Sequence, residues 1–443
     1  MKSRSLYSVA ILSLIVLAAG PVWIHAQSQP SSGETYYRVY NLGSLGGSFA
    51  AGNGINNIGA AVGESTLANQ QTVRAALWLY GQKIDLGALG GPLSNSAVLW
   101  PVKNDHGEIV GVSETSTTDP NSEGGFSCSA FIPINDNHTC MAFLWSNGAM
   151  TPLPTLGGNN GFATGINNHG QAVGWTETAN PDSTCVLPQR LQFEATEWGP
   201  NGGKIHALVP LPGDPDSAAT AINDEGEVVG ISGICGTAVG GYSAEHAVLW
   251  QNGQPIYLGR LLGGAGWNTP MAINNLGEIV GFGDVLGDTS TGILIPNFQA
   301  FSWTQGTGAS QLAALPAPYN AYSEATGVNG VGQIAGVSCD PNFNCQAVLW
   351  QNGMPANLNS LVVGNSNLYL ISASDINDHG EITGEACVVS NGACSGTLVS
   401  FLAVPTAEGT PAWNSSAPVT LPAALRNQIK HQIGMGAFAG RDR

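Results

Sequence analysis

The chain has 443 residues, of which 60 are glycine and 25 proline, with 43% hydrophobic and only 10% charged. That composition belongs to a packed, turn-rich chain; it excludes a disordered polyelectrolyte. Lys and Arg total 13 against 30 Asp and Glu, a formal charge of −17, and phosphate recognition needs a basic footprint, so no nucleic-acid partner is expected.

Residues 1–26 read as an export signal. Lys2 and Arg4 form the positive n-region, Leu6 to Gly20 the apolar stretch, and Ala26 the small residue before the expected cut. No later apolar run reaches the ~18 residues of a membrane helix, so no integral span is expected in the mature chain. The expected location is secreted, periplasmic or at the cell surface.

Between residues 36 and 406 one pattern recurs seven times: Asn, then Asn, Asp or Gly, any residue, Gly, a small or polar residue, two mostly aliphatic residues, and Gly. It starts at Asn56, Asn104, Asn167, Asn223, Asn274, Asn329 and Asn377, at spacings of 48, 63, 56, 51, 55 and 48 residues. A second anchor follows each first one and ends at Trp78, Trp145, Trp198, Trp250, Trp303 and Trp350, with Ser400–Ala403 as a degenerate seventh. Most Trp anchors run into a Gly-containing turn, such as Asn147-Gly148, Asn252-Gly253 and Asn352-Gly353. Asn-Gly between apolar runs is a type I′ hairpin signal, because both central residues need positive φ.

Each repeat therefore predicts four short strands: one before the Asn turn, one after it (110–112 or 228–231, for example), the Trp strand, and one past the hairpin. Four such antiparallel strands make one blade, so the expected fold is an all-β, seven-bladed β-propeller. The Trp strands are apolar at successive positions, as befits sheets buried on both faces between neighbouring blades. The seventh repeat lacks its last strand, whereas Tyr37–Leu42 reads as a fourth strand with no first three before it. Joining the two closes the ring and removes the open sheet edges. Residues 407–443 form a separate tail holding Arg426, Lys430, Arg441 and Arg443, either a short helix at Leu421–Ile433 or a disordered terminus.

These anchors resemble the probable extracellular HAF-repeat family. The matching stretches include Leu45-Gly46-Gly47, Ile166-Asn167, Val229-Gly230 and His246-Ala247-Val248-Leu249-Trp250. The resemblance implies bacterial export and supplies no catalytic residues. Repeat two departs from it, with Lys103 where Ile usually stands and Ala97–Trp100 mimicking the Trp anchor.

All eight cysteines fall between the second and third strands of their repeats. An even count in an exported chain points to disulfides, with three local pairs expected: Cys128 with Cys140, Cys339 with Cys345, and Cys387 with Cys394. Cys185 and Cys235 remain, one in each of two adjacent repeats, and are expected to bridge them. Zinc is the rival, but the spacings lack matching His residues, and no metal or cofactor is expected.

Strand alternation puts the uniform Asn turns on one face and the longer, cysteine-bearing loops on the other, where binding is expected. Seven residues before the turn Asn stand Phe49, Asp216, Trp267 and Tyr322, with Phe162 and Tyr369 close by. Placed at the channel mouth they would offer rings and polar groups to a sugar or peptide; packed between blades they would be ordinary core. Metal-protease, serine-hydrolase and phosphate-loop motifs are absent, and His106, His169 and His379 occupy one repeated turn position. The expectation is a monomeric, non-enzymatic binding or surface-interaction module for an extracellular glycan or protein. The alternatives are a polysaccharide lyase or hydrolase using acids such as Asp216, and a purely structural envelope protein.

Overall fold

An edge strand cannot stay unpaired, and a strand apolar on both sides must be covered on both. Both demands are met by seven four-stranded antiparallel sheets that succeed one another along the chain. The computed structural model describes residues 35–102, 104–123, 137–238, 246–285, 298–407 and 419–432. The expected export signal and Lys103 lie outside these residues. Blade four shows the plan, with strands Asp216–Ile222, Val228–Gly233, His246–Gln251 and Gln254–Tyr257 running from first to last. Blade seven takes Leu368–Ile376, Ile382–Ser390 and Ala393–Thr406 from the end of the chain and its outermost strand, Tyr36–Gly43, from the beginning. Blade two has the shortest first strand, Ser96–Ala97, in the repeat whose sequence departs most from the pattern.

The core lies between blades. Trp78, Trp198, Trp250 and Trp350 are all at most 2% exposed. The indole N–H of Trp198, Trp250 and Trp350 donates to the chain leaving the preceding blade, at Pro154, Val209 and Ala313, over 2.7–2.8 Å. Each Trp thus fills an interface and pins two blades together. The fourth strands form the outer rim and are largely exposed.

The glycine that ends each Asn pattern has a steric cause. A Cβ on Gly63, Gly174, Gly230 or Gly336 would overlap a carbonyl oxygen of the neighbouring first strand. That strand is bulged opposite, at 52–54, 163–165, 219–221 and 325–327, and the two backbones approach more closely than any side chain permits. The bulged residue is put to use. Thr164, Thr220 and Thr326 donate their hydroxyls to Ala219, Pro270 and Ala373 of the next blade at 2.8–3.0 Å.

Candidate functional site

The turn asparagine is the most repeated residue of the sequence, and the structure gives it two tasks. Its Oδ1 accepts from the main chain of its own turn, as in Asn377, which takes the N–H groups of His379 and Glu381 at 3.1 and 2.9 Å. Its Nδ2 donates to the carbonyl of the equivalent asparagine in the next blade. That bond runs from Asn56 to Asn104, on through all the turns, and from Asn377 back to Asn56, at 2.8–3.1 Å throughout. The result is a closed ring of seven side-chain hydrogen bonds around the channel.

A second ring lies at the next position. The amide of Asn57 donates to Asp105, Asp105 to Asn168, Asn168 to Asp224, and Asp224 to Asn275, at 2.7–2.9 Å. Gly330 donates to Asp378 and Asp378 to Asn57, at 2.7 and 2.9 Å. The junction from Asn275 to Gly330 has no such bond, because glycine brings no side chain. Burial works to raise the Asp224 carboxyl, but the Asn168 main-chain N–H, the Asn275 and Asn168 amides and nearby His169 together hold it below the ordinary carboxylate value.

These rings surround a funnel of about 560 Å³, its open mouth included, with Ile55, Ile222, Ile273 and Val328 forming an apolar lining. Its polar groups bind one another, so the funnel works as a latch between blades. His106, His169 and His379 are exposed at the turns beside it. Sequence reasoning marked these turns as tight and missed the rings; the signal was the invariance of Asn over Asp, since only the amide can donate.

The opposite face carries the cysteines. Cys185 pairs with Cys235 across blades three and four, Cys339 with Cys345 inside blade six, and Cys387 with Cys394 inside blade seven. Cys140 is also disulfide-bonded, and Cys128 lies outside the described residues. Three disulfides are the chemistry of an oxidising compartment. Among the described residues no helix is long and apolar enough to cross a membrane.

The residues singled out for a channel mouth are dispersed. Phe162 is 2% exposed and stacks on Trp175, ring centres 4.9 Å apart. Tyr322 is half-buried between Phe298 and Phe343, at 5.3 and 4.8 Å. Tyr369 is buried in the same apolar cluster, against which half-buried Phe49 also packs. Trp267 lies on the first strand of blade five, its side chain outside what the structure describes. Among the described side chains these rings pack in apolar clusters.

Asp216 is fully buried. Burial, then its hydrogen bond to Asp182, pushes its carboxyl up to about 9, against the Phe193 N–H that it accepts at 2.9 Å. On Asp182, partial burial is outweighed by the bonds from Asp216 and from the Thr184 N–H and hydroxyl, so this partner sits below the ordinary range. The Asp182 carboxylate also approaches Cys185 and Cys235, all three ligand atoms lying within 4.8 Å. Both sulfurs are consumed in the disulfide, which leaves the carboxylate alone to offer lone pairs. Elsewhere, burial pushes Glu324 to about 8, and burial with repulsion from Glu385 does the same to Glu64. These acids are neutral at mildly acidic pH, the state that a water-excluded carboxyl prefers.

One further element lies on this face. A helix, Ala423–Gln432, falls within the stretch where the sequence left helix and disorder open. Val419, Leu421, Leu425 and Ile429 are 1–6% exposed and pack with Phe343, Tyr369 and the two local disulfides of blades six and seven. The Leu421 N–H donates to Asn344 Oδ1 at 3.0 Å. Four side chains of this size bury roughly 1.5–3 kcal/mol each of gross hydrophobic free energy.

No protein-family model matches the chain, and no curated protein matches it. Solved structures share its fold. TolB from Acinetobacter baumannii aligns with 68% of this chain at 10% identity and TM-score 0.38, and the match spans 64% of TolB, just under two thirds of its length. An oligogalacturonate lyase in complex with manganese aligns over 84% of this chain and 96% of its own, at 10% identity and TM-score 0.46. A Trypanosoma rangeli sialidase covers 85% of this chain and 56% of its own, at 9% identity and TM-score 0.37. At such identities only the propeller is shared, and the activities named belong to those proteins.

Proposed function

We propose that this chain is an exported, non-enzymatic binding module of the HAF-repeat type that presents its disulfide-bearing face to an extracellular glycan or protein. The observation that carries the reading is the contrast between the faces. Hydrogen-bond rings saturate the Asn-turn face, whereas long loops braced by disulfides, and an apolar bed, make up the other. Variable loops on a stiff scaffold are where recognition concentrates. The buried acids support a binder over a catalyst, because Asp216, Glu64 and Glu324 are 0%, 7% and 4% exposed.

One observation favours a second reading, a glycan-cleaving enzyme. Burial raises the Asp216 carboxyl, with Asp182 as its neighbour, and a general acid needs such a raised carboxyl. The test is an array of cell-wall polymers, soluble glycans and peptides, read for both retention and cleavage products. Retention that is lost on loop substitutions of the disulfide face and kept in Asp378→Asn supports the binder. Cleavage that Asp216→Asn abolishes establishes the enzyme, and retention lost only in Asp378→Asn moves the site to the Asn-turn face.

A further inference from the structure

The C-terminal helix is attached to the propeller in a way that no blade is. All seven sheets have their four strands without it, the last completed by Tyr36–Gly43, so its departure opens no sheet edge. Among the described residues, one hydrogen bond joins it to the body, from Leu421 to Asn344. The Arg426 Nε is buried there with no acceptor. Ten residues are too few for a helix to persist alone in water, so the segment is held by its apolar face and its tether.

The bed beneath it has the opposite character. It is fixed from below by Cys339–Cys345 and Cys387–Cys394 and by the Phe298, Tyr322 and Phe343 ring stack, so it keeps its shape when uncovered. What it reads in the tail is Leu425 and Ile429, one turn apart on the helix, with Val419 and Leu421 on the stretch leading into it, an apolar helix face laid in a groove. The tail holds 4 of the 13 basic residues of a chain whose net charge is −17, so its charge complements that of the body.

We propose that this bed is the partner-binding surface of the disulfide face, that it takes a basic amphipathic helix with aliphatic residues at i and i+4 and an aliphatic lead-in, and that Val419–Gln432 occupies it in the partner's absence. The inference rests on the reading that the disulfide-bearing face is the ligand face, and it names the class of ligand. A tethered occupant acts at millimolar effective concentration. An incoming helix must therefore outcompete it, which sets a threshold for binding.

The experiment uses the full chain and a fluorescein-labelled peptide with the sequence of residues 419–432, followed by fluorescence anisotropy. Leu425→Asp combined with Ile429→Asp lifts the strap, and this variant is expected to bind the peptide at least tenfold more tightly than the parent. Adding Phe343→Ala removes the gain, and a peptide bearing the same two Asp substitutions does not bind. A concentration-dependent dimer of the parent that free peptide disperses also supports the surface, with a second copy's tail as occupant. A folded double variant that gains no peptide binding overturns the proposal. Hydrogen exchange on the parent gives an answer independent of any variant: residues 423–432 must exchange well before the strands of blade seven, and exchange only with global unfolding overturns it too. If the peptide fails while an arrayed glycan binds the loops of this face, the strap inference falls and the binding-module reading stands; a ligand seated on the Asn turns removes both.

Discussion

The ring of turn asparagines makes a sharp prediction at Asn223. Its Nδ2 donates to Asn274 O at 3.1 Å and to Glu227 Oε2 at 2.8 Å, and its Oδ1 accepts from Glu227 N at 2.9 Å. Asn223→Ala leaves the Glu227 amide without a partner at a site where residue 223 is 3% exposed, and the Asn274 carbonyl keeps only the Gly277 N–H. The orphaned amide costs ~1–3 kcal/mol, and the lost bond to the Asn274 carbonyl adds about 1 kcal/mol. Asn223→Asp separates turn from ring: the carboxylate still accepts from Glu227 N, but it cannot donate, and it faces the Asn274 carbonyl and the Glu227 carboxylate. If the asparagine served only its own turn, aspartate would replace it at little cost. The expected result is that both variants lower the urea midpoint strongly, while the control Asn252→Asp, in an exposed outer hairpin, does not. An Asn223→Asp protein with a parental midpoint refutes the ring as a source of stability.

Two further outcomes follow from the disulfides and the buried acids. In the chain-entropy description, Cys185–Cys235 closes a loop of 50 residues and Cys339–Cys345 one of 6, so replacing each pair by serine costs ~4 and ~2 kcal/mol, and the blade-spanning pair should lower the thermal midpoint about twice as far. Glu324 has its folded value raised by burial from 4.5 to about 8. Through that window the unfolded chain releases a proton that the folded chain keeps, so stability falls as pH rises from about 4.5 to 8. At ~1.4 kcal/mol per pH unit for a single group, Glu324→Gln should match the parent near pH 5 and melt higher near pH 8.5. Equal midpoints at both values would show that the carboxyl is solvated. The lowered carboxyls of Asp182 and Asp224 act in the other direction, and their contribution is lost only in stronger acid.

The sequence carried the fold because a propeller repeats its reasons. Asn, turn Gly, closing Gly and Trp each solve one local problem, and each problem occurs in every blade. What they solve was only partly legible. The hairpin at Asn252-Gly253 follows from φ preferences alone; the bond from Asn223 to Asn274 joins residues 51 apart and exists only once the ring has formed. The same holds for the disulfide face. Cys185 and Cys235 could be paired by elimination, but that the Asp182 carboxylate lies beside them depends on how blades three and four meet. Phe162, Tyr322 and Tyr369 were singled out in the sequence, yet sequence cannot tell a ring that greets solvent from one packed against the next blade.

That division between repeat and departure bears on where function can reside. A symmetric arrangement of identical groups satisfies its own hydrogen bonds, as the Asn56-to-Asn377 ring does, and a saturated ring has nothing left to offer a ligand. Specific recognition needs groups held in place without a symmetry-related partner. Those stand where the repeat is broken: the clasp of blades three and four, the buried acid Glu324, and the apolar bed of blades six and seven under a helix that belongs to no blade. The three described disulfides lie on that side, so covalent bracing and broken symmetry coincide there. A face that merely closed the fold would need neither, since the opposite face closes it with asparagine alone.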